Sequence, residues 1–111
     1  MKFISTRDKN RVVSFKEAVF QGLSPEGGLF VPDSVPNLSA FYAGLTPKTP
    51  FNDMAIELTS LVLKDDISKE SAARIINRAY NFKPELVDTG NGIFIEELFH
   101  GPSSAFKDFG A

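Results

Sequence analysis

At Pro84 the apolar pattern of this chain changes from helical to extended, and that change limits what it can fold into. From Phe51 to Tyr80 apolar residues recur at three and four positions, the spacing of amphipathic helices; past Pro84 they come in short runs split by a turn, the spacing of strands. Thr49-Pro50 reads as an N-cap followed by proline at the first helical position. The stripe Phe51, Met54, Ala55, Leu58, Leu61 and Val62 then predicts a helix to about Lys64. Ser68 opens a second helix, with Ala72, Ile75, Ile76, Ala79 and Tyr80 on one face and Lys69, Glu70, Arg74 and Arg78 on the other. Asp65 to Ile67 would join the two as an antiparallel pair. Past Pro84, Leu86-Val87 and Ile93-Phe94-Ile95 flank Thr89-Gly90-Asn91-Gly92, and Asn-Gly between apolar runs predicts a hairpin whose second strand continues to Phe99.

The first fifty residues carry shorter elements. Phe3 to Thr6 reads as a strand and Arg7 to Arg11 as the turn after it. Ser14 and Glu17 have capping-box spacing, Gly22 supplies the stop, and Phe15, Ala18 and Val19 should face inward from the helix between them. Ser24-Pro25-Glu26-Gly27-Gly28 is a turn, Leu29-Phe30-Val31 a brief buried strand, and Pro32 to Pro50 an irregular connection with one helical turn near Leu38 to Tyr42. The fold class is α/β. Residues 1–82 form one unit with a core drawn from Phe15, Val19, Leu29, Phe30, Leu58, Leu61, Ile75 and Ile76, and residues 83–111 begin a second.

Size and charge narrow the function. A chain of 111 residues holds one domain, or one small domain and the start of another, and is too short for a complete cofactor-dependent α/β enzyme. Twelve Lys and Arg against fourteen Asp and Glu leave a net charge of −2 without a basic stripe, which argues against nucleic acid as a partner. The absence of Cys removes thiolate chemistry and cysteine metal sites, and no metal site is expected. The opening residues reach Arg7, Asp8 and Lys9 without the apolar stretch of a secretory signal. No later run has transmembrane length, so the expectation is a cytoplasmic protein with no membrane partner.

The chemistry is concentrated in His100-Gly101-Pro102-Ser103-Ser104-Ala105-Phe106-Lys107-Asp108-Phe109-Gly110-Ala111. A strand ends in a Gly-Pro turn with two hydroxyls and gives way to a helix start with a lysine among aromatics. The positive end of the helix and the water-excluding rings would both favour the neutral amine, the form that condenses with an aldehyde. Lys107 is therefore the candidate catalytic and cofactor-holding residue, against the ordinary reading of a solvated surface lysine. Ser103, Ser104 and His100 are candidate substrate-binding groups, with turn-forming hydroxyls and a hydrogen-bonded structural histidine as the plainer readings. Asp108 suits an anion stabilising the first helical turn.

That string resembles the cofactor-lysine segment of threonine synthases, in which a His-Gly-Pro-Thr-x-Ala-Phe-Lys-Asp run places the lysine at this spot; Ser103 stands where Thr is expected. The run from Val13 to Leu23, followed by Gly27-Gly28-Leu29-Phe30-Val31-Pro32, is similar to the family's N-terminal block, and Ser5-Thr6-Arg7 to its opening. The resemblance implies a small N-terminal α/β domain followed by the start of a fold-type II, tryptophan synthase β-like catalytic domain that uses pyridoxal phosphate. It implies conversion of O-phospho-L-homoserine and water to L-threonine and phosphate, with Lys107 holding the cofactor and then moving protons. It also implies that the chain is the N-terminal part of a longer enzyme, inactive alone, because the phosphate cradle and the group facing the pyridine nitrogen follow the lysine in that fold. A free-standing interaction or regulatory module, or a related pyridoxal phosphate phospho-lyase, stands as the alternative.

Overall fold

The computed structural model describes residues 1–110 and divides into two compact units, Met1–Arg74 and Ile75–Ala111. In the first unit β1 (Lys2–Ser5) is the middle strand of a three-stranded antiparallel sheet, flanked by β2 (Val12–Ser14) and β3 (Phe30–Pro32). Phe3 sits opposite Val13 on one side and Pro32 on the other. Because β3 pairs only with β1, Pro32 lies on an edge, where a missing N–H costs no ladder bond. The strand β2 falls where only a turn and a helix cap were expected. It has three residues, too few for an alternation pattern to show in the sequence.

Helix α1 (Phe15–Gln21) begins as its spacing predicts. Ser14 Oγ accepts from Glu17 N at 3.2 Å, and Glu17 Oε2 accepts from Ser14 N at 2.8 Å, closing the capping box. These Ser14 contacts, the backbone N–H first, hold the Glu17 carboxyl below its ordinary range. Gly22 ends the helix at φ 70 with its N–H on Ala18 O. Ala18 is buried, and the Phe15 ring lies 5.9 Å from that of Phe3, so the helix packs on the central strand. Val19 does not join it: it is 60% exposed.

Helices α2 (Ser39–Gly44), α3 (Phe51–Val62) and α4 (Lys69–Ala79) follow, and α4 runs across the division between the units. Thr49 does not cap α3. Its hydroxyl accepts from Thr46 N at 3.0 Å and closes the turn before the helix, while Pro50, at φ −61 and ψ 144, occupies the N-cap position. With its hydroxyl engaged by Thr46 N, Thr49 stays in the turn. Ser68 does cap α4, accepting from Ser71 N at 3.2 Å.

The core is thinner than the sequence implied. Among the described residues the buried apolar side chains are Ala18, Ala72 and Ile76. Of the expected core, Phe15, Phe30, Leu58 and Leu61 are half-buried, whereas Val19, Leu29 and Ile75 are exposed. A small unit has too much surface for its volume to bury every apolar residue that periodicity marks.

The turn at Ser24–Gly28 holds an ionic cluster. Glu26 Oε2 lies 3.3 Å from Arg11 Nε, and Arg7 Nη1 donates to Glu26 O at 3.0 Å. The hydroxyls of Ser24 and Ser5, with the Arg11 charge, bring the Glu26 carboxyl from an ordinary 4.5 down to about 2. Ser24 Oγ and Glu26 Oε1 are nonetheless buried without a hydrogen bond of bonding geometry, so the Arg11 contact is the firm part of the cluster. A carboxyl with a lowered folded-state pKa stabilises above its unfolded value and loses that contribution as pH falls through the folded one. Glu26→Gln should therefore flatten the pH dependence of stability between 4.5 and about 2. Urea unfolding across that window checks it, and an unchanged slope would remove Glu26 from the acid response.

In the second unit β4 (Glu85–Gly90) and β5 (Ile93–Glu97) form the expected hairpin. Asn91 at φ 55 and Gly92 at φ 74 make the two-residue connection, the left-handed pair that matches strand twist. The second strand stops at Glu97 rather than Phe99.

Candidate functional site

The segment that carries the candidate residues starts at His100, past β5, and runs into the one-turn helix α5 (Lys107–Gly110), all within the second unit. Gly101 O accepts from Ser104 N at 3.0 Å, closing a turn over Pro102 and Ser103, and Ser104 adopts φ 54, a left-handed conformation unusual outside glycine. Asp108 N and Phe109 N then donate to Ala105 O and Phe106 O at 3.0 and 3.1 Å. This three-residue spacing winds the chain tightly where Lys107 leaves it.

Residues on the C-terminal side of Lys107 are held firmly. The Asp108 carboxylate accepts from Ser103 Oγ at 2.6 Å and from Ser103 N at 2.9 Å, one bond to each oxygen. The Ser103 hydroxyl, foremost, keeps the Asp108 carboxyl below its ordinary value. The Phe109 ring stacks on Tyr80, centroids 6.3 Å apart at 19°, and meets Phe82 edge-on at 4.9 Å. Tyr80 Oη donates to Phe109 O at 2.8 Å, so ring and backbone are both anchored. Lys107 itself is exposed and, among the described residues, makes no hydrogen bond or ion pair.

The structure brings Ser103, Ser104 and Lys107 into one loop and turns His100 aside. His100 Nε2 lies 2.7 Å from Glu97 Oε2, and the His100 ring is 4.7 Å from that of Phe99, so the histidine is tied to the end of the hairpin. Ser103 gives its hydroxyl proton to Asp108 and retains only lone pairs for a ligand. Neither the helix end nor the aromatic rings act on Lys107 as its sequence suggested. A four-residue helix carries little dipole to act on the lysine. The flanking rings also do not shield it: Phe106 is 67% exposed, and Phe109 is occupied with Tyr80 and Phe82. Residues one or two positions apart do not face each other on a helix, so nearness in sequence was no guide to enclosure.

Sequence reasoning missed the grip of Asp108 on Ser103 and its steric counterpart at Gly101, where an added Cβ would stand 2.5 Å from that of Asp108. Only the five-residue spacing of a hydroxyl and a carboxylate hinted at the first, and nothing local signals the second. An unpaired, accessible primary amine on an otherwise fixed loop is the donor chemistry that an aldehyde cofactor such as pyridoxal phosphate requires, and Lys107 fits it.

A three-stranded sheet with a capped helix, continued by helices into a hairpin and a lysine-bearing loop, defines a mixed α/β N-terminal domain leading into a second unit. A family model described as threonine synthase N terminus matches residues 2–80, and the chain belongs to that family. It is 37% identical over 114 residues to threonine synthase of Schizosaccharomyces pombe, across 97% of this chain and 22% of that protein. The crystal structure of threonine synthase from Escherichia coli superposes with a TM-score of 0.88 at 34% identity, covering 99% of this chain and 26% of that one. A pyridoxal phosphate-bound threonine synthase from Brucella melitensis gives 0.81 at 33%, over 97% and 24%. The family resemblance of the two sequence blocks is thereby met, as is the expected mixed α/β fold. The chain spans about a quarter of the length of these relatives. Among the described residues no helix is long and apolar enough to cross a membrane.

Proposed function

We propose that the full-length protein carrying this chain is a cytoplasmic threonine synthase, a carbon–oxygen lyase that converts O-phospho-L-homoserine and water to L-threonine and phosphate. Residues 1–82 are its N-terminal domain and residues 83–111 begin the fold-type II domain that holds pyridoxal phosphate. The family match ending at residue 80 and the change from helix to strand before Glu85 support that boundary, while by packing Ile75 to Phe82 go with the second unit.

The observation that carries this reading is Lys107: an exposed amine without a partner among the described residues, on a loop fixed by Asp108 and Phe109. When bound, pyridoxal phosphate supplies an electron sink for the negative charge left as a proton leaves the substrate's α carbon. Lys107 Nζ would hold the cofactor through its aldehyde group. As a free amine the same nitrogen would serve as the base that takes and returns protons at the substrate's α and β carbons. Ser104 offers a hydroxyl on the same loop for the substrate or cofactor, Ser103 a lone pair, and His100 a ring beside the hairpin end. The closure by Asp108 and Phe109 keeps Nζ in one region through both roles.

The purified full-length protein should release phosphate from O-phospho-L-homoserine with stoichiometric L-threonine. Phosphate release with a keto acid in place of threonine would instead identify a related phospho-lyase, and no turnover with cofactor bound would remove the assignment.

A further inference from the structure

Lys107 lies inside a ring closed by side chain and backbone. The chain runs from Ser103 through Ala105, Phe106 and Lys107 to Asp108, and the two ends are joined twice, by Ser103 Oγ at 2.6 Å and Ser103 N at 2.9 Å to the two carboxylate oxygens. Gly101 packs so closely on Asp108 that a side chain there would displace the carboxylate, its Cβ standing 2.5 Å from that of Asp108. Ser104 is held at φ 54 within the same ring. The carboxylate makes no ion pair with Lys107, so its two acceptor sites serve the loop rather than the lysine charge.

We propose that Asp108 is a positioning residue: through Ser103 it fixes the loop from Gly101 to Lys107 and so sets where the Lys107 amine stands when it is bound to cofactor and when it is free. This rests on the reading of Lys107 as the cofactor-holding residue. A lysine side chain has four rotatable carbons, so the amine returns to one place only if the backbone it hangs from does not move. The exposed Phe106 does not restrain that backbone from the N-terminal side; Asp108 does. The role differs from stabilising a helix, since α5 has a single turn. It also assigns Ser103 as the partner of Asp108, a task that any hydroxyl of similar reach performs.

The test uses the full-length protein in four forms: Asp108→Asn, Ser103→Ala, their double variant and Ser103→Thr. Each is loaded with pyridoxal phosphate and compared for kcat, KM, the induced circular dichroism of the visible cofactor band, and melting temperature. Asp108→Asn and Ser103→Ala should each lower kcat roughly 10- to 100-fold with KM changed less than about threefold, the scale expected for misplacement of a reacting group by about an ångström. Both should change the amplitude of the cofactor dichroism, a signal that reports orientation and not stability. The double variant should be no worse than the poorer single, since both changes cut the same link. Ser103→Thr, which keeps the hydroxyl that reaches Asp108, should recover most of the kcat and dichroism that Ser103→Ala loses. Variants with normal kcat and dichroism but a lowered melting temperature would overturn the proposal, leaving Asp108 a structural group. Should Asp108→Asn fail to fold, Ser103→Ala decides alone, because it leaves the carboxylate in place. If borohydride places the cofactor of the wild-type protein on a lysine other than Lys107, the assignment of Lys107 fails first; with the cofactor on Lys107 and the variants normal, only the role of Asp108 fails.

Discussion

Lys107→Ala in the full-length protein should abolish the covalent attachment of pyridoxal phosphate and lower turnover by at least roughly 10²–10⁴-fold, the range that removal of a proton-transferring group costs by itself. The loss of the covalent anchor adds to it. Lys107→Arg should fare no better, because a guanidinium stays protonated and does not condense with an aldehyde at neutral pH. Borohydride reduction and peptide mapping of the wild type should put the pyridoxyl group on the peptide containing Lys107, and the visible cofactor–lysine band should vanish in both variants. A label persisting on another lysine would move the site elsewhere. The prediction is specific because the Lys107 amine makes no hydrogen bond or ion pair among the described residues, so neither substitution removes a contact that the loop depends on. The folded loop should survive, and a melting temperature near that of the wild type separates loss of chemistry from loss of structure.

What could be read from the sequence was local. The capping box of Ser14 and Glu17, the stop at Gly22, the Ser68 cap and the Asn91-Gly92 turn each involve residues within a few positions of one another, and each forms as spacing predicts. Lys107 stood out for the chemistry of its string, and the structure leaves its amine accessible. Tertiary placement was not legible. Val19 and Leu29 have the right apolar character to be inside, yet burial depends on what lies across from them, and both are 60% exposed. Thr49 had a capping residue's identity but was drawn to Thr46. His100, Ser103 and Asp108 share a short stretch, but the sequence did not reveal that Asp108 would capture Ser103 while His100 turned to Glu97. Such choices are made between side chains three to five positions apart in irregular backbone, where no fixed periodicity says which groups meet.

The Gly27-Gly28 pair shows how a correct local reading can still miss the reason for a residue. As a turn signal it needs φ above zero, and Gly27 has it at φ 80; Gly28 does not. Gly28 is glycine because of what it faces. A Cβ there would strike Ser5 Oγ and come within 3.1 Å of Arg7 N. Ser5 cannot yield easily, since it is fully buried on the central strand and its hydroxyl accepts from Arg7 N at 3.2 Å and Asp8 N at 3.4 Å. Nor can Gly28 withdraw, because its carbonyl accepts from Ser24 N at 2.9 Å and the next residue is tied to Thr6 by Thr6 N donating to Leu29 O at 2.9 Å. Gly28→Ala should therefore destabilise this chain by roughly 1–3 kcal/mol, the usual cost of forcing a methyl into a filled space. Gly44→Ala is the matched control: nothing lies within 4 Å of its Cβ position and its φ is unexceptional, so the substitution should be neutral or slightly stabilising. Urea unfolding of the two variants beside the wild type measures the difference. Equal stability of Gly28→Ala and the wild type would mean that the sheet and turn can part by the width of a methyl group, and that the close approach of Gly28 to Ser5 is not what holds the first unit together.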